Sequence, residues 1–166
     1  MRKVLLVSIA VACVGSATAA ADPPPSLAVP AGEHLLFKAR ARGVQIYVCA
    51  DPNSGGAPEW TLKAPEAQLS DDKGKPIGKH YVGPTWEADD GSKVVGEVVA
   101  KVPEPGTIPW LLLRGKASGK GRFAAVTSIQ RLDTTGGAAP AGGCDRGKLG
   151  AETRVPYGAS YAFFGK

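Results

Sequence analysis

The chain has 166 residues and a formal charge of +5, with 43% hydrophobic and 21% charged residues. These fractions match those of globular proteins, which argues against intrinsic disorder, and the length suits a single domain. The 22 Gly and 14 Pro residues interrupt regular structure so often that long helices are excluded.

The first element is a predicted export signal at residues 1–21. A basic start precedes an apolar stretch at residues 4–15 and a small-residue exit that ends at Ala21, which is the pattern of a cleaved secretory leader. A lipid anchor at Cys13 is disfavoured because Ala10 stands where a Leu-type residue is usual. No later run approaches the ~20 apolar residues of a membrane helix. The sequence therefore predicts an exported protein, periplasmic or extracellular, without a membrane span.

The mature chain reads as a short lead-in followed by one all-β domain. Residues 22–32 are Pro-rich and predict an extended segment, and residues 33–166 form the domain. Period-2 alternation predicts a strand over residues 34–41, a tight turn at Gly43 and a second strand over residues 44–49. Further strands are predicted at residues 60–63, 67–69, 77–82, 85–88, 93–102, 108–113, 123–132 and 155–164, with turns about every ten residues.

Three of these strands indicate where the core lies. In residues 93–102 the face that begins at Val94 and continues through Val98 is predicted to be buried. The run 108–113 is apolar without alternation, which is typical of a strand buried on both sides, and Pro109 is tolerated near its start. In the last strand Tyr157, Ala159, Tyr161 and Phe163 share one face. About ten short strands without a helix predict an antiparallel β-sandwich or a closed barrel.

The cysteines predict one disulfide. Cleavage of the leader removes Cys13 and leaves Cys49 with Cys144, an even pair in an oxidising compartment. Their bridge closes a loop of roughly 95 residues and contributes about 4–5 kcal/mol in the chain-entropy model.

The densest cluster of polar and aromatic side chains lies at residues 80–92. It contains His80, Tyr81, Trp86, Glu87 and Asp90, and a tight bend at residues 83–84 interrupts it. Aromatic rings beside carboxylates suit a sugar or another polar ligand, small or polymeric. The alternative interpretation is structural, since acids near a hairpin turn and a core tryptophan are ordinary features.

Arg131 is a second candidate, outside that cluster. Its guanidinium suits bidentate binding of a carboxylate or phosphate group. The alternative is a structural ion pair with an acid such as Asp133 or Glu87.

Enzymatic and metal-binding chemistry has less support. A hydrolase could use His80 as general base with Glu87 or Asp90 as its partner. The same acids could join His80 and His34 in an open metal site, but two histidines are too few for a histidine-rich centre, so no metal and no cofactor are predicted. Scattered basic residues argue against a nucleic-acid groove.

The order of several motifs resembles a family of exported proteins known as domain-of-unknown-function 3455. The motifs are Gly-Val-Gln-Ile-Tyr-Val-Cys at 43–49, Trp60 with Ala-Pro-Glu-Ala at 64–67, His-Tyr-Val-Gly-Pro-Thr-Trp-Glu at 80–87, Asp-Gly-Ser at 90–92, Ile-Pro-Trp-Leu-Leu-Leu at 108–113, Ile-Gln-Arg-Leu at 129–132, Thr-Gly-Gly at 135–137 and Val-Pro-Tyr at 155–157. The resemblance implies a secreted single-domain protein and no established activity, cofactor or catalytic residue. Some fungal relatives carry a malate dehydrogenase label, which the absence of a dinucleotide fingerprint contradicts.

Three functional hypotheses follow from the sequence. The first is a binding protein for a small molecule or glycan at the aromatic and carboxylate cluster. The second is the hydrolase or metal-dependent enzyme, and the third is a structural envelope protein without a ligand. The sequence does not specify the oligomeric state.

Overall fold

The computed structural model describes residues 23–51 and 55–166. The predicted export signal at residues 1–21 lies outside the described residues, as does Cys13. No helix within the described residues has the length and apolarity needed to cross a membrane.

Eight antiparallel strands form one closed barrel, and each strand pairs with its neighbours in sequence. Pairing of the first strand with the last closes the sheet. This confirms the all-β prediction and selects the barrel over the sandwich, with eight strands in place of about ten. The strands are β1 His34–Ala50, β2 Glu59–Ser70, β3 Pro76–Tyr81, β4 Thr85–Ala88, β5 Lys93–Val102, β6 Trp110–Ser118, β7 Ser128–Gly136 and β8 Glu152–Gly165.

The strand count is lower because two predicted pairs of strands are continuous. The predicted turn at Gly43 is wrong: this residue lies in the middle of β1, opposite Ala67 of β2 and Tyr157 of β8. A Cβ atom on Gly43 would lie 2.0 Å from the Glu66 carbonyl oxygen. The glycine therefore permits a close approach of β1 and β2, and no chain reversal. Likewise, the predicted strands at residues 60–63 and 67–69 are one strand, β2.

The two ends of the barrel differ in how they are filled. At the end where β1 begins and β8 finishes, the Phe37, Phe123 and Phe163 rings pack with centroids 4.7–5.5 Å apart. We call this the aromatic end; the turns at residues 71–75, 89–92 and 119–127 belong to it. The opposite end, which we call the cavity end, carries the connections at residues 82–84, 103–109 and 137–151 and the one between β1 and β2.

The burial predicted for the later strands is largely found. In β6, Leu111, Leu112 and Leu113 are all buried, and the four predicted residues of β8 are buried on one face. The prediction for β5 is correct for Val94 and wrong for Val98, which is 52% exposed. A register shift between Val98 and Ala100 interrupts the alternation there.

The lead-in packs against the outside of the barrel. It contains a 3-10 turn, Pro25–Leu27, in place of the fully extended segment that was predicted. The Gln130 side chain of β7 donates a hydrogen bond of 2.7 Å to the Leu27 carbonyl oxygen, and Leu27 is completely buried. Gln130 and Leu112 are paired in register, so the lead-in explains why β6 is buried on its outer side as well.

The predicted disulfide between Cys49 and Cys144 is present, with Cα atoms 5.4 Å apart. It ties the long connection between β7 and β8 to the end of β1. The Tyr47 hydroxyl donates to the Gly137 carbonyl at 2.6 Å, and the Trp60 indole nitrogen donates to Gly142 at 2.8 Å. These contacts fix the connection across the cavity end.

Candidate functional site

The predicted cluster at residues 80–92 is divided between the two faces of the sheet. Successive side chains of a strand point to opposite faces. His80 and Trp86 are paired in register and both point into the barrel, where they are 2% and 1% exposed. Their rings stack with centroids 4.3 Å apart and planes 14° apart.

Tyr81 and Glu87 lie on the outer face. The Tyr81 hydroxyl donates to Glu87 Oε2 at 2.6 Å, and Lys93 and Lys79 lie 3.2 and 3.8 Å from the same carboxylate. The Tyr81 hydrogen bond is the largest cause of a lowered pKa of Glu87, and the two lysines add to it. This network is separated from His80 by the sheet itself, so the structure does not bring the predicted carboxylate to the aromatic pair.

Asp90 is also remote from His80. It lies in the turn between β4 and β5 at the aromatic end, where its carboxylate accepts hydrogen bonds from the Ser92 amide and hydroxyl and from the Arg122 amide. The bond from the Ser92 side chain is the main cause of a lowered pKa of Asp90. Asp90 therefore holds two turns together.

His80 and Trp86 form part of the wall of a cavity within the barrel that is partly open to solvent. Its volume is about 540 Å³, which is within the usual size of small-molecule sites. It lies towards the cavity end, beside the connections at residues 82–84 and 103–109. Its apolar wall includes Leu62, Val98, Ile108, Leu111 and Leu113.

Arg131 reaches this cavity from β7. Its Nε and Nη2 atoms donate to the Pro109 carbonyl oxygen at 3.0 and 2.8 Å. Within residues 23–51 and 55–166 it forms no ion pair with a carboxylate, so the predicted structural pair with Asp133 or Glu87 is not formed. The reason is geometric: Glu87 faces outward, and Asp133 is exposed with a φ of 48°.

The charged side chains that line the cavity are all cationic. They are Lys63, Lys101 and Arg131, and no Asp or Glu of residues 23–51 and 55–166 lines the cavity. Lys63 pairs with Glu152 on the surface, and Lys101 is exposed. Arg131 is the half-buried member of the three.

Several buried polar atoms of the lining residues have no hydrogen-bond partner among the residues that the structure describes. They are Gln45 Nε2, Trp86 Nε1 and the Tyr161 hydroxyl. The hydroxyl makes no hydrogen bond of ordinary geometry, although Arg131 and Tyr157 are close enough to influence its pKa, which burial raises. Buried polar groups normally find partners, so three exceptions on one cavity wall are informative.

His80 is held as a neutral ring. Burial is the largest effect on it and lowers its pKa to about 4, with a further decrease from the positive charge of Arg131. Its Nδ1 atom lies 2.9 Å from the Thr85 carbonyl oxygen. A neutral ring donates there and keeps its lone pair on Nε2. Since Glu87 and Asp90 lie elsewhere, neither of the predicted carboxylates is beside it.

The histidines are not assembled for metal binding. His34 is exposed at the aromatic end, opposite Gly165, whereas His80 borders the cavity. The described part of the chain contains no group of three or more His, Cys, Asp or Glu side chains that could hold a metal ion.

Of the residues singled out in the sequence, His80, Trp86 and Arg131 line the cavity; Gln45 and Tyr47 line it as well and were not singled out. Both lie on β1 and are 1% and 7% exposed. The sequence signal for these two residues was the alternation of residues 44–49. That alternation did not show which of the two faces of the strand points into the barrel. The structure places the face with the polar side chains inside.

The fold and the cavity together define a single-domain closed antiparallel barrel with a cationic, partly apolar internal pocket. The chain belongs to a family described as protein of unknown function (DUF3455), whose model matches residues 30–165. This confirms the resemblance seen in the sequence. Neither a curated protein nor a solved structure matches the chain.

Proposed function

We propose that this protein binds a small ligand inside the barrel. The observation that carries the proposal is the buried indole N–H of Trp86, which has no acceptor among the described residues, on a side chain that lines a cavity of about 540 Å³. A buried donor without a partner costs roughly 1–3 kcal/mol. A ligand acceptor at this point recovers that cost, and the apolar wall binds the rest of the molecule.

The cavity favours a binding protein over the two other hypotheses. A purely structural role gives no reason for three unpartnered polar side chains, those of Gln45, Trp86 and Tyr161, among the residues that line one cavity. The hydrolase hypothesis paired His80 with Glu87 or Asp90, but Glu87 lies on the outer face and Asp90 at the aromatic end.

The sequence suggested a sugar bound by aromatic rings and carboxylates, and the proposal removes the carboxylates from this site. His80 covers one face of the Trp86 indole, and no carboxylate of the described residues lines the cavity. Recognition therefore uses the indole N–H and the neighbouring donors more than a carboxylate. Glycans remain among the ligands to be screened.

Export is part of the proposal. The disulfide between Cys49 and Cys144 fits an oxidising compartment, and the leader at residues 1–21 supplies the route. Mass analysis of the protein recovered from the host should give a chain that lacks about 21 residues and is two protons light. A full-length chain with free thiols would contradict this.

A thermal-shift screen tests the binding function. The mature, oxidised protein is heated with glycans, organic acids, neutral aromatic compounds and divalent metals. A ligand at 100 times its Kd adds about 2.7 kcal/mol, which for a domain of this size raises Tm by roughly 5–10 °C. The absence of any shift across all four classes would count against the proposal.

A matched pair of variants locates the site. Trp86→Phe removes the unpartnered N–H and keeps an aromatic ring, so it should abolish most of the shift. Trp110→Phe makes the same chemical change at a half-buried tryptophan that does not line the cavity, so it should leave the shift unchanged. Equal shifts in the two variants would place the ligand elsewhere.

A further inference from the structure

We infer that the ligand of this cavity is anionic, an organic molecule with a carboxylate or similar oxyanion group that pairs with Arg131 and with an apolar body that fills the barrel. This inference rests on the proposed binding function and narrows it to a ligand class. Three independent features of the cavity support it: the sign of its charges, the geometry of Arg131 and the excess of hydrogen-bond donors.

The first feature is the sign of the charges. The cavity is lined by Lys63, Lys101 and Arg131, and the part of the chain that the structure describes adds no carboxylate to the lining. Walls of low dielectric strengthen the attraction of such a site for a negative charge. Lys63 is already paired with Glu152, so Lys101 and Arg131 are the cations that favour an anionic ligand over a cationic one.

The second feature is the state of Arg131. Two of its nitrogen atoms, Nε and Nη2, donate to one carbonyl oxygen, that of Pro109, which fixes the guanidinium in place. Its Nη1 atom makes no hydrogen bond to the described residues. By contrast, Arg114 and Arg154 on the surface each pair with a glutamate. A half-buried guanidinium without an anion is costly, and an oxyanion is its natural partner.

The third feature is the set of unpartnered polar atoms. Gln45 Nε2 and Trp86 Nε1 can only donate, and the Tyr161 hydroxyl can donate as well. A ligand that satisfies them must present acceptor atoms. The His80 ring, which burial keeps neutral, offers a single acceptor to the ligand, its Nε2 atom.

The remaining wall describes the other part of the ligand. Leu111, Leu113 and Ile108 are buried and line the cavity. A volume of about 540 Å³ leaves room for an apolar body well beyond a single carboxylate group. A small inorganic anion alone would leave this apolar surface unused.

Matched pairs of probes test the inference. Isothermal titration calorimetry is carried out with 2-naphthoate against 2-naphthamide and with octanoate against octanamide, on the mature oxidised protein. Each pair shares its shape and differs in charge. The charge-assisted hydrogen bonds of Arg131 should make each carboxylate bind about 10- to 100-fold more tightly than its amide.

Arg131→Gln should remove this preference, so that each carboxylate and its matching amide bind within about threefold of each other. Arg131→Lys should keep part of the preference, because it retains the charge and loses the planar fork. If Arg131→Gln fails to fold, the affinities of the carboxylates and amides for the unaltered protein and for Arg131→Lys still test whether the site prefers an anion.

The outcomes separate the two proposals. If amides and carboxylates bind the unaltered protein equally well, the anionic class is wrong and the binding function stands. If the carboxylates are preferred and Arg131→Gln retains the preference, the role of Arg131 is wrong. If none of the four probes binds and the thermal-shift screen is negative, both proposals fail.

Discussion

Acidification should destabilise the protein through His80. Burial lowers the pKa of this ring from 6.5 to about 4 in the folded protein. Between these values the unfolded chain binds a proton that the folded chain does not, so stability falls as the pH falls through 6.5 and the loss levels off below 4. The full difference corresponds to about 3 kcal/mol, and about 2 kcal/mol of it is lost between pH 7.5 and pH 5.

Urea unfolding at pH 7.5 and pH 5 measures this loss. Many carboxylates also titrate in acid, so the informative quantity is the difference between variants. His80→Phe keeps a flat ring against Trp86 and removes the titration. The loss of unfolding free energy between pH 7.5 and pH 5 should therefore be about 2 kcal/mol smaller in this variant than in the unaltered protein. His34→Gln removes the exposed histidine and should behave like the unaltered protein. Equal pH dependence in His80→Phe and the unaltered protein would refute the reasoning.

Two further predictions concern the scaffold. Replacing both Cys49 and Cys144 by Ala opens a loop with a sequence separation of 95 and should lower the free energy of unfolding by about 4 kcal/mol, measured by urea denaturation; a loss under about 1 kcal/mol would contradict the predicted role of the bridge. Gly43→Ala places a Cβ 2.0 Å from the Glu66 carbonyl and should cost about 3 kcal/mol or more. Gly142→Ala, where nothing lies within 4 Å, is its control, and equal stability of the two variants would show that β1 and β2 can separate freely.

Alternating patterns predicted most of the strands because alternation depends only on which face of a single strand is buried. The single buried face of β8 and the doubly buried start of β6 were read correctly in this way. Gly43 was misread because a glycine signals both a tight turn and a close approach of two backbones. The position of the partner strand distinguishes a turn from a close approach, and a local sequence pattern does not contain that position.

The candidate site was predicted in part for the same reason. Alternation within the run 80–87 already implies that His80 and Tyr81 face opposite sides of the sheet, so the separation of the aromatic pair from Glu87 could have been deduced. The convergence of Arg131 and Gln45 on that pair could not. It depends on the closure of the barrel by β1 and β8, which brings residues far apart in sequence around one cavity.

The division of the barrel into two ends explains how the protein tolerates this site. The unpartnered atoms of Gln45, Trp86 and Tyr161 cost roughly 1–3 kcal/mol each, which is a large fraction of the 5–15 kcal/mol by which typical domains are stable. The packed phenylalanines of the aromatic end and the disulfide at the cavity end offset that cost without entering the cavity. A ligand that satisfies the three atoms and Arg131 should therefore stabilise the protein well beyond what the apolar surface that it buries would contribute.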